Sequence, residues 1–196
     1  RLSLYVATTT NPLSQTSQFI YNYSNGKVKQ SQDPNNHLTK NIYDGIGRVT
    51  KVEQSDITTP STLVTRATYT YTDNTSSPSI IRKSDYLTST TTIDSYSFYD
   101  GLSRLIQERK ATLYSNVYGT TDRVYSSSGQ VASSSLPYFS SGTSFTTPTS
   151  NIALYTQNFY DSLGRVSTTT NAVGTTTNQY LQWTTKTTDP NGNAKD

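Results

Sequence analysis

"NIYDGIGRVTKVEQ" (41–54) decides how this chain is read, because nearly the same phrase returns as "SFYDGLSRLIQERK" (97–110) and "NFYDSLGRVSTTTN" (158–171). In each copy a Tyr-Asp pair leads, an arginine follows four residues after the aspartate, and a valine or leucine comes next. One such phrase reads as a turn. Three in register within 196 residues read as a building unit, and internal repetition is a stronger guide to architecture than any single motif.

The tyrosine that opens each phrase serves as a ruler. Tyr23, Tyr43, Tyr71, Tyr99, Tyr125, Tyr160 and Tyr180 stand 20, 28, 28, 26, 35 and 20 residues apart. "SNGKV" after Tyr23 is a phrase one residue shorter, "SSSGQV" after Tyr125 keeps only the glycine, and "TDNTSS" after Tyr71 is degenerate. "LQWTTK" after Tyr180 has no turn glycine. Between phrases a second punctuation recurs: "DPNN" (33–36), "NAVG" (171–174) and "DPNG" (189–192). A repeat of about 20 residues holds two short strands and two tight turns, and leaves no room for helices.

Alternation supports strands. Phe19, Tyr21 and Tyr23 oppose Gln18, Ile20 and Asn22; Leu63, Thr65, Ala67, Tyr69 and Tyr71 oppose Val64, Arg66, Thr68 and Thr70. The pattern fails at Val49 and Val52, which a regular strand places on opposite faces. The longer steps predict loops at 55–62 and 137–150. "RLSLYVATTT" and "YLQWTTKTT" each read as a terminal strand, and their unprotected edges predict self-association.

Composition agrees. The chain has 28 Ser, 36 Thr and 16 Tyr, but one His, one Trp, no Cys and no Met. Only 31% of it is hydrophobic and 15% charged; Thr and Tyr suit a half-buried pleated face. The net charge of +3 is scattered without like-charge runs, which argues against a nucleic-acid partner. No apolar run approaches the length of a membrane-spanning helix. Absence of cysteine removes disulfide and thiolate chemistry and is compatible with an exported bacterial protein. The start at Arg1 leads us to expect a segment of something longer, with residues 1–196 forming one repeat region and no second domain.

The phrase has its own chemistry. Tyr43, Tyr99 and Tyr160 end strands, with their rings on neighbouring hairpins. Asp44, Asp100 and Asp161 are placed to accept backbone N–H groups in Asx-turns. Gly47 and Gly164 suit a left-handed backbone; Ser103 stands in their place, so its turn is expected to be strained or of another type. Gly45 and Gly101 align with Ser162, so glycine there is optional. Arg48, Arg104 and Arg165 are expected to lie across a tyrosine face or meet the carboxylate of a neighbouring phrase. Val49, Leu105 and Val166 are expected to enter the core.

These phrases resemble the YD repeat of the RHS-repeat family, Tyr-Asp-x-x-Gly-Arg followed by a β-branched or leucine residue. Residues 43–49 and 160–166 fit throughout; 99–105 depart at Ser103. Partial matches run from Phe19 to Asn193. The resemblance implies hairpins joined edge to edge into a spiralling hollow β-shell, as in bacterial RHS proteins, insecticidal toxin-complex B and C components and teneurins. It implies neighbouring repeats of the same polypeptide as partners, and in the toxins an enclosed C-terminal toxic polypeptide. The family's C-terminal core motif, with its self-cleaving aspartates, has no match here, so the segment would be wall rather than cargo.

Other sites weigh less. His37 is the only histidine, in a turn-like "PNNHLTKN", and no G-x-S-x-G occurs. The repeated position of Asp44, Asp100 and Asp161 favours turn capping over catalysis. Asp189, Asn191, Asn193 and Asp196 are spaced like calcium-loop ligands, yet a Pro-Asn-Gly hairpin turn explains them better. Asn22 and Asn74 head glycosylation sequons. Exposed tyrosines and Trp183 would suit glycans or proteins.

The fold expected is therefore all-β: consecutive antiparallel hairpins in a curved sheet, a segment of a hollow shell. The function expected is a structural scaffold of a secreted or cell-surface bacterial protein. No enzymatic activity, cofactor or metal is expected. The alternative is an adhesin-like surface module that binds through exposed tyrosines.

Overall fold

The computed structural model describes residues 4–74, 78–148 and 155–195. The described residues contain strands and turns but no helix, as the density of turn signals requires. By compactness the chain divides into Arg1–Thr72 with Ile81–Ser95, and Asp73–Ile80 with Tyr96–Asp196.

The first unit is a meander of β1 (Thr8–Thr10), β2 (Thr16–Asn22), β3 (Lys27–Gln32), β4 (Leu38–Tyr43), β5 (Val49–Ser55) and β6 (Leu63–Thr72). Each strand pairs antiparallel with the next. β7 (Ser79–Tyr86) and β8 (Thr92–Tyr99) follow. The second unit continues with β9 (Leu105–Ala111), β10 (Val117–Tyr125), β11 (Val131–Ser135), β12 (Tyr138–Ser141), β13 (Tyr155–Tyr160), β14 (Val166–Asn171), β15 (Gly174–Tyr180), β16 (Thr185–Thr188) and β17 (Ala194–Lys195). The pairings among β9 to β17 are likewise antiparallel.

β11 and β12 share one edge of β10. Arg123 faces Ser134, and Thr120 faces Tyr138. The register slips by one residue across Leu136 and Pro137. A proline cannot donate to a ladder, so it sits where the pairing is already broken.

Bulges explain the failed alternation at Val49 and Val52. Tyr43 faces Val49 while Ile42 faces Lys51, leaving Thr50 unpaired. Asn41 and Tyr43 share a face, so Val52 and Val49, opposite them, share it too. The Thr50 hydroxyl donates to the Ile42 carbonyl at 3.2 Å. The same slip occurs beside Tyr21, Tyr125 and Tyr160. A further slip between Val52 and Glu53 interrupts the strict alternation expected along β6.

Four expectations need correction, the first being the loop expected at 137–150, within which Tyr138–Ser141 form β12 and pair with β10. "RLSLYVATTT" forms a strand only over Thr8–Thr10, Arg1 to Ser3 lying outside the described residues. "YLQWTTKTT" is not one strand: Tyr180 pairs with Thr185 across a reversal closed by the Leu181 amide on the Thr184 carbonyl at 2.9 Å. Val49, Leu105 and Val166 do not reach a deep core and are only half-buried. Among the described residues the buried hydrophobics are Ala67, Phe98 and Tyr118, whereas Ser55, Ser84, Gln107, Arg109, Thr120 and Asp122 are buried polar residues.

Candidate functional site

The repeated phrase builds one local structure. In "YDGIGR" the Gly47 amide donates to the Asp44 carbonyl at 3.0 Å, and the Asp44 amide to the Arg48 carbonyl at 2.9 Å. This is a three-residue hairpin loop closed by a left-handed residue. Because Gly47 takes the Asp44 carbonyl, the Arg48 amide needs another acceptor, and Asp44 Oδ1 supplies it at 2.8 Å. The same oxygen accepts the Ile46 amide at 3.1 Å, while Oδ2 accepts Arg48 Nε at 2.7 Å. One carboxylate thus satisfies two amides and a guanidinium.

Asp100 and Asp161 repeat the set with Leu102 and Arg104, and with Leu163 and Arg165. Each arginine meets the carboxylate of its own phrase. The Arg48 guanidinium, followed by its amide, holds Asp44 below the usual carboxylate range. At Asp161 the Arg165 amide leads. At Asp100 burial is the largest influence and raises the carboxyl, yet the Arg104 guanidinium and amide together hold it below the usual range.

Gly47 and Gly164 have φ of 84° and 80°. Ser103 occupies the same turn at φ 59°, so the backbone is strained there rather than changed in type.

The second contact of each phrase reaches the next repeat. The Tyr43, Tyr71, Tyr125, Tyr160 and Tyr180 hydroxyls donate to the carbonyls of Val28, Val49, Leu105, Val131 and Val166 at 2.7, 2.7, 3.0, 2.8 and 2.9 Å. Every acceptor lies immediately after the arginine position of the preceding phrase. The Arg48, Arg104 and Arg165 guanidiniums lie 4.2, 4.5 and 4.1 Å from the ring centres of Tyr71, Tyr125 and Tyr180. The arginine is thus a joint: it closes its own turn and covers the next tyrosine. Tyr99 closes β8 at the head of its turn.

The ruler itself needs one correction. The opening tyrosine of the first phrase is Tyr21, not Tyr23: its hydroxyl reaches the Val6 carbonyl at 3.1 Å, and Gly26, not Asn25, holds φ 70°. That turn is one residue longer, and Tyr23 is left 81% exposed. Tyr5 stacks on Tyr21 with ring centres 4.7 Å apart, in the place an arginine takes elsewhere.

"DPNN" and "DPNG" are the same loop with different side chains. Asp33 Oδ1 accepts the Asn35 and His37 amides, and His37 Nδ1 lies 3.3 Å from Asp33 Oδ2. Asp189 accepts the Asn191 and Asn193 amides and Asn193 Nδ2. His37 and Asn193 therefore occupy the arginine's position, and the Asp189 carboxylate is committed to its turn. Asp196 and the Thr75-Ser76 part of one sequon lie outside the described residues. His37 also borders an open cleft of about 580 Å³ within the first unit.

A different assembly lies in the second unit, and sequence reasoning missed it. On facing strands Asp122 pairs in register with Gln107, and Thr120 with Arg109. All four are at most 1% exposed. Asp122 Oδ1 accepts Gln107 Nε2 at 2.7 Å, and Oδ2 accepts the Tyr138 and Tyr155 hydroxyls at 2.7 and 3.0 Å. Gln107 Oε1 accepts Arg109 Nε at 3.0 Å. Gln107 therefore links a buried guanidinium to a buried carboxylate, and such charges are tolerated only when paired and hydrogen-bonded.

Burial lowers the Arg109 pKa. Burial, then the hydrogen bond to Asp122, raises Tyr138 and pushes Tyr155 to about 12. The only signal in the sequence was polar residues at alternate positions of "LIQERKA", which reads equally as a solvated face.

No protein family matches the sequence, and no curated protein matches it. Solved structures do match in fold. The chain is similar to the crystal structure of TcdB2-TccC3 without the hypervariable C-terminal region, at TM-score 0.75 and 14% identity, over 94% of this chain and 14% of that one. It is also similar to the crystal structure of TcdB2-TccC3-Cdc42, at TM-score 0.73 and 13% identity, over 95% of this chain and 14% of that one. Likeness at this identity establishes the fold.

Proposed function

We propose that the chain is a wall segment of an RHS/YD-repeat shell, a scaffold that encloses a C-terminal toxin or effector polypeptide in an exported bacterial protein. Residues 1–196 form one repeat region in this reading, and Tyr43, Asp44, Gly47, Arg48, Tyr99, Asp100, Arg104, Tyr160, Asp161, Gly164 and Arg165 serve to build the wall. The observation that carries the proposal is the tyrosine-to-carbonyl contact repeated from one phrase to the next. It gives each of these five repeats the same seat on its predecessor, which is what an extensible wall requires. The fold shared with TcdB2-TccC3 supports it. The mechanism is containment: ladder hydrogen bonds run through consecutive hairpins, so the wall needs little apolar core.

The test is limited proteolysis of the parent polypeptide. A C-terminal region that resists protease until denaturant opens the shell supports the proposal; a region digested at once under native conditions refutes it.

A second reading, an adhesin-like surface module, draws on Trp183 and Tyr23, which are 95% and 81% exposed. It predicts saturable binding on a glycan array that Trp183→Ala and Tyr23→Ala abolish. The six repeat tyrosines with committed hydroxyls are poor candidates for that role.

A further inference from the structure

Residues 142–148, "GTSFTTP", follow β12 and form neither strand nor helix. They lie across the β9 side of the buried polar cluster. Arg109 Nη1 donates to the Ser141 and Gly142 carbonyls at 3.1 and 2.6 Å, and Nη2 donates to Thr146 Oγ1 at 2.7 Å. Gln107 holds the backbone of Thr146 at both ends: Nε2 donates to its carbonyl at 2.9 Å, and Oε1 accepts its amide at 3.4 Å. The Phe145 ring rests 5.8 Å from the fully buried Phe98 ring.

This is how a protein binds an extended peptide in trans. A side-chain amide takes one residue's N–H and C=O as a neighbouring strand would, a guanidinium reads carbonyls and a hydroxyl, and a buried ring receives an aromatic side chain. Gln107 is fixed from below by Asp122 and Arg109 by Gln107, and Phe98 is fully buried. Segment 143–147 is mostly exposed; at its root the Gly142 amide donates to the Asn116 carbonyl at 3.1 Å, and beyond that the described contacts are those to Phe98, Gln107 and Arg109.

We propose that Phe98, Gln107 and Arg109 form a peptide-docking seat, and that residues 142–148 are a strap occupying it in cis that lifts off without unfolding the sheet. The ligand class is an extended segment carrying an aromatic residue followed by a hydroxyl-bearing one, as Phe145-Thr146 does here. A segment held by side chains opens locally, whereas ladder amides exchange only when strands separate. While the strap is seated, a competing peptide binds only in the fraction of time the seat is vacant.

Two measurements test this. In native-state hydrogen exchange of the full chain, the Thr146 amide should exchange at least about tenfold faster than the paired amides of β9 and β10, with little dependence on denaturant. Exchange of Thr146 at the global unfolding rate overturns the strap. The second uses a Phe145→Ala, Thr146→Val double variant, changed only on the strap, and a fluorescent peptide of sequence Ser-Phe-Thr-Thr-Pro. The peptide should bind the variant saturably and at least about tenfold more tightly than it binds the unaltered chain. No binding, or equal binding to both, overturns the seat.

Discussion

The YD turns and the buried cluster use the same residue types to opposite ends. In the turn at 160–166, Asp161 and Arg165 meet within five residues, and Arg165 keeps 44% of its side chain exposed. In the cluster, Asp122 and Arg109 are fully buried and linked through Gln107. The turn solves a local problem, the orphaned amides of a tight hairpin, and does so again in every copy. The cluster solves a distant one, fastening strands and a strap whose residues lie 15 to 39 positions apart. A local solution can be copied; a distant one can be built once and is costly to disturb.

That contrast breaks most sharply at Asp122. Asp122→Ala leaves two tyrosine hydroxyls and the Gln107 amide without their acceptor, and Arg109 without the nearby carboxylate. Removing one partner from a buried charged network costs about 3–5 kcal/mol. Urea unfolding should show that loss. A shift under about 1 kcal/mol would mean that water replaces the carboxylate and that the cluster contributes far less than its burial suggests.

Next in size is Gly164→Val. A β-branched residue at positive φ costs about 1–3 kcal/mol, and the added Cβ would approach Gln130 Nε2 to 2.9 Å. Asp161→Asn at the same turn keeps an oxygen facing the Leu163 and Arg165 amides, and should shift the denaturant midpoint much less. Equal, negligible shifts for both would show that backbone conformation does not govern the turn.

The two regions also differ in how far sequence reveals them. The turn announces itself because its contacts fall within one phrase, and the phrase recurs. Even there the sequence points to the wrong tyrosine, Tyr23: the chain places one more residue before Gly26, and the hydroxyl of Tyr21 on the Val6 carbonyl identifies the true opening tyrosine. The bulge at Thr50 was visible solely as a failed alternation. The cluster left no comparable mark. Gln107 and Arg109 look like a solvated face, Tyr138 and Tyr155 lie off the ruler, and nothing local says that Asp122 faces them all. That arrangement arises from strand register, which a short-range pattern does not encode.

Acid sharpens the same comparison. Asp33, Asp44, Asp161 and Asp189 are all held below the ordinary carboxylate value by turn donors, and Asp56 falls to about 2, led by the Thr58 hydroxyl. A carboxylate whose folded pKa is depressed stabilises the fold above its unfolded value of about 3.9 and loses that contribution as pH falls through the folded value. Stability should therefore be level down to about pH 4 and decline from there toward about pH 2. Titration followed by circular dichroism checks this, with Asp161→Asn showing a shallower decline. A loss of stability beginning near pH 6 would point away from the turns.

The smallest expected effect is a gain. Ser103 sits at φ 59° where the matching turns have glycine. For a residue with a Cβ this conformation costs about 1–2 kcal/mol, and glycine returns part of that advantage as unfolded-state entropy, about 0.5–1 kcal/mol. Ser103→Gly should therefore stabilise the chain by about 0.5–1 kcal/mol. The reverse exchange belongs at Gly47, where an added Cβ would meet Asn25 at an ordinary 3.5 Å, rather than at Gly164, where Gln130 is in the way. Gly47→Ser should then lose about what Ser103→Gly gains, and Gly164→Ser should lose more. Denaturant midpoints of the three variants separate the terms: matched gain and loss at 103 and 47 isolate the backbone, and the excess at 164 isolates the side-chain contact. If Ser103→Gly is instead destabilising, the serine hydroxyl makes an interaction worth more than the strain it imposes, and that turn is not a weaker copy of the other two.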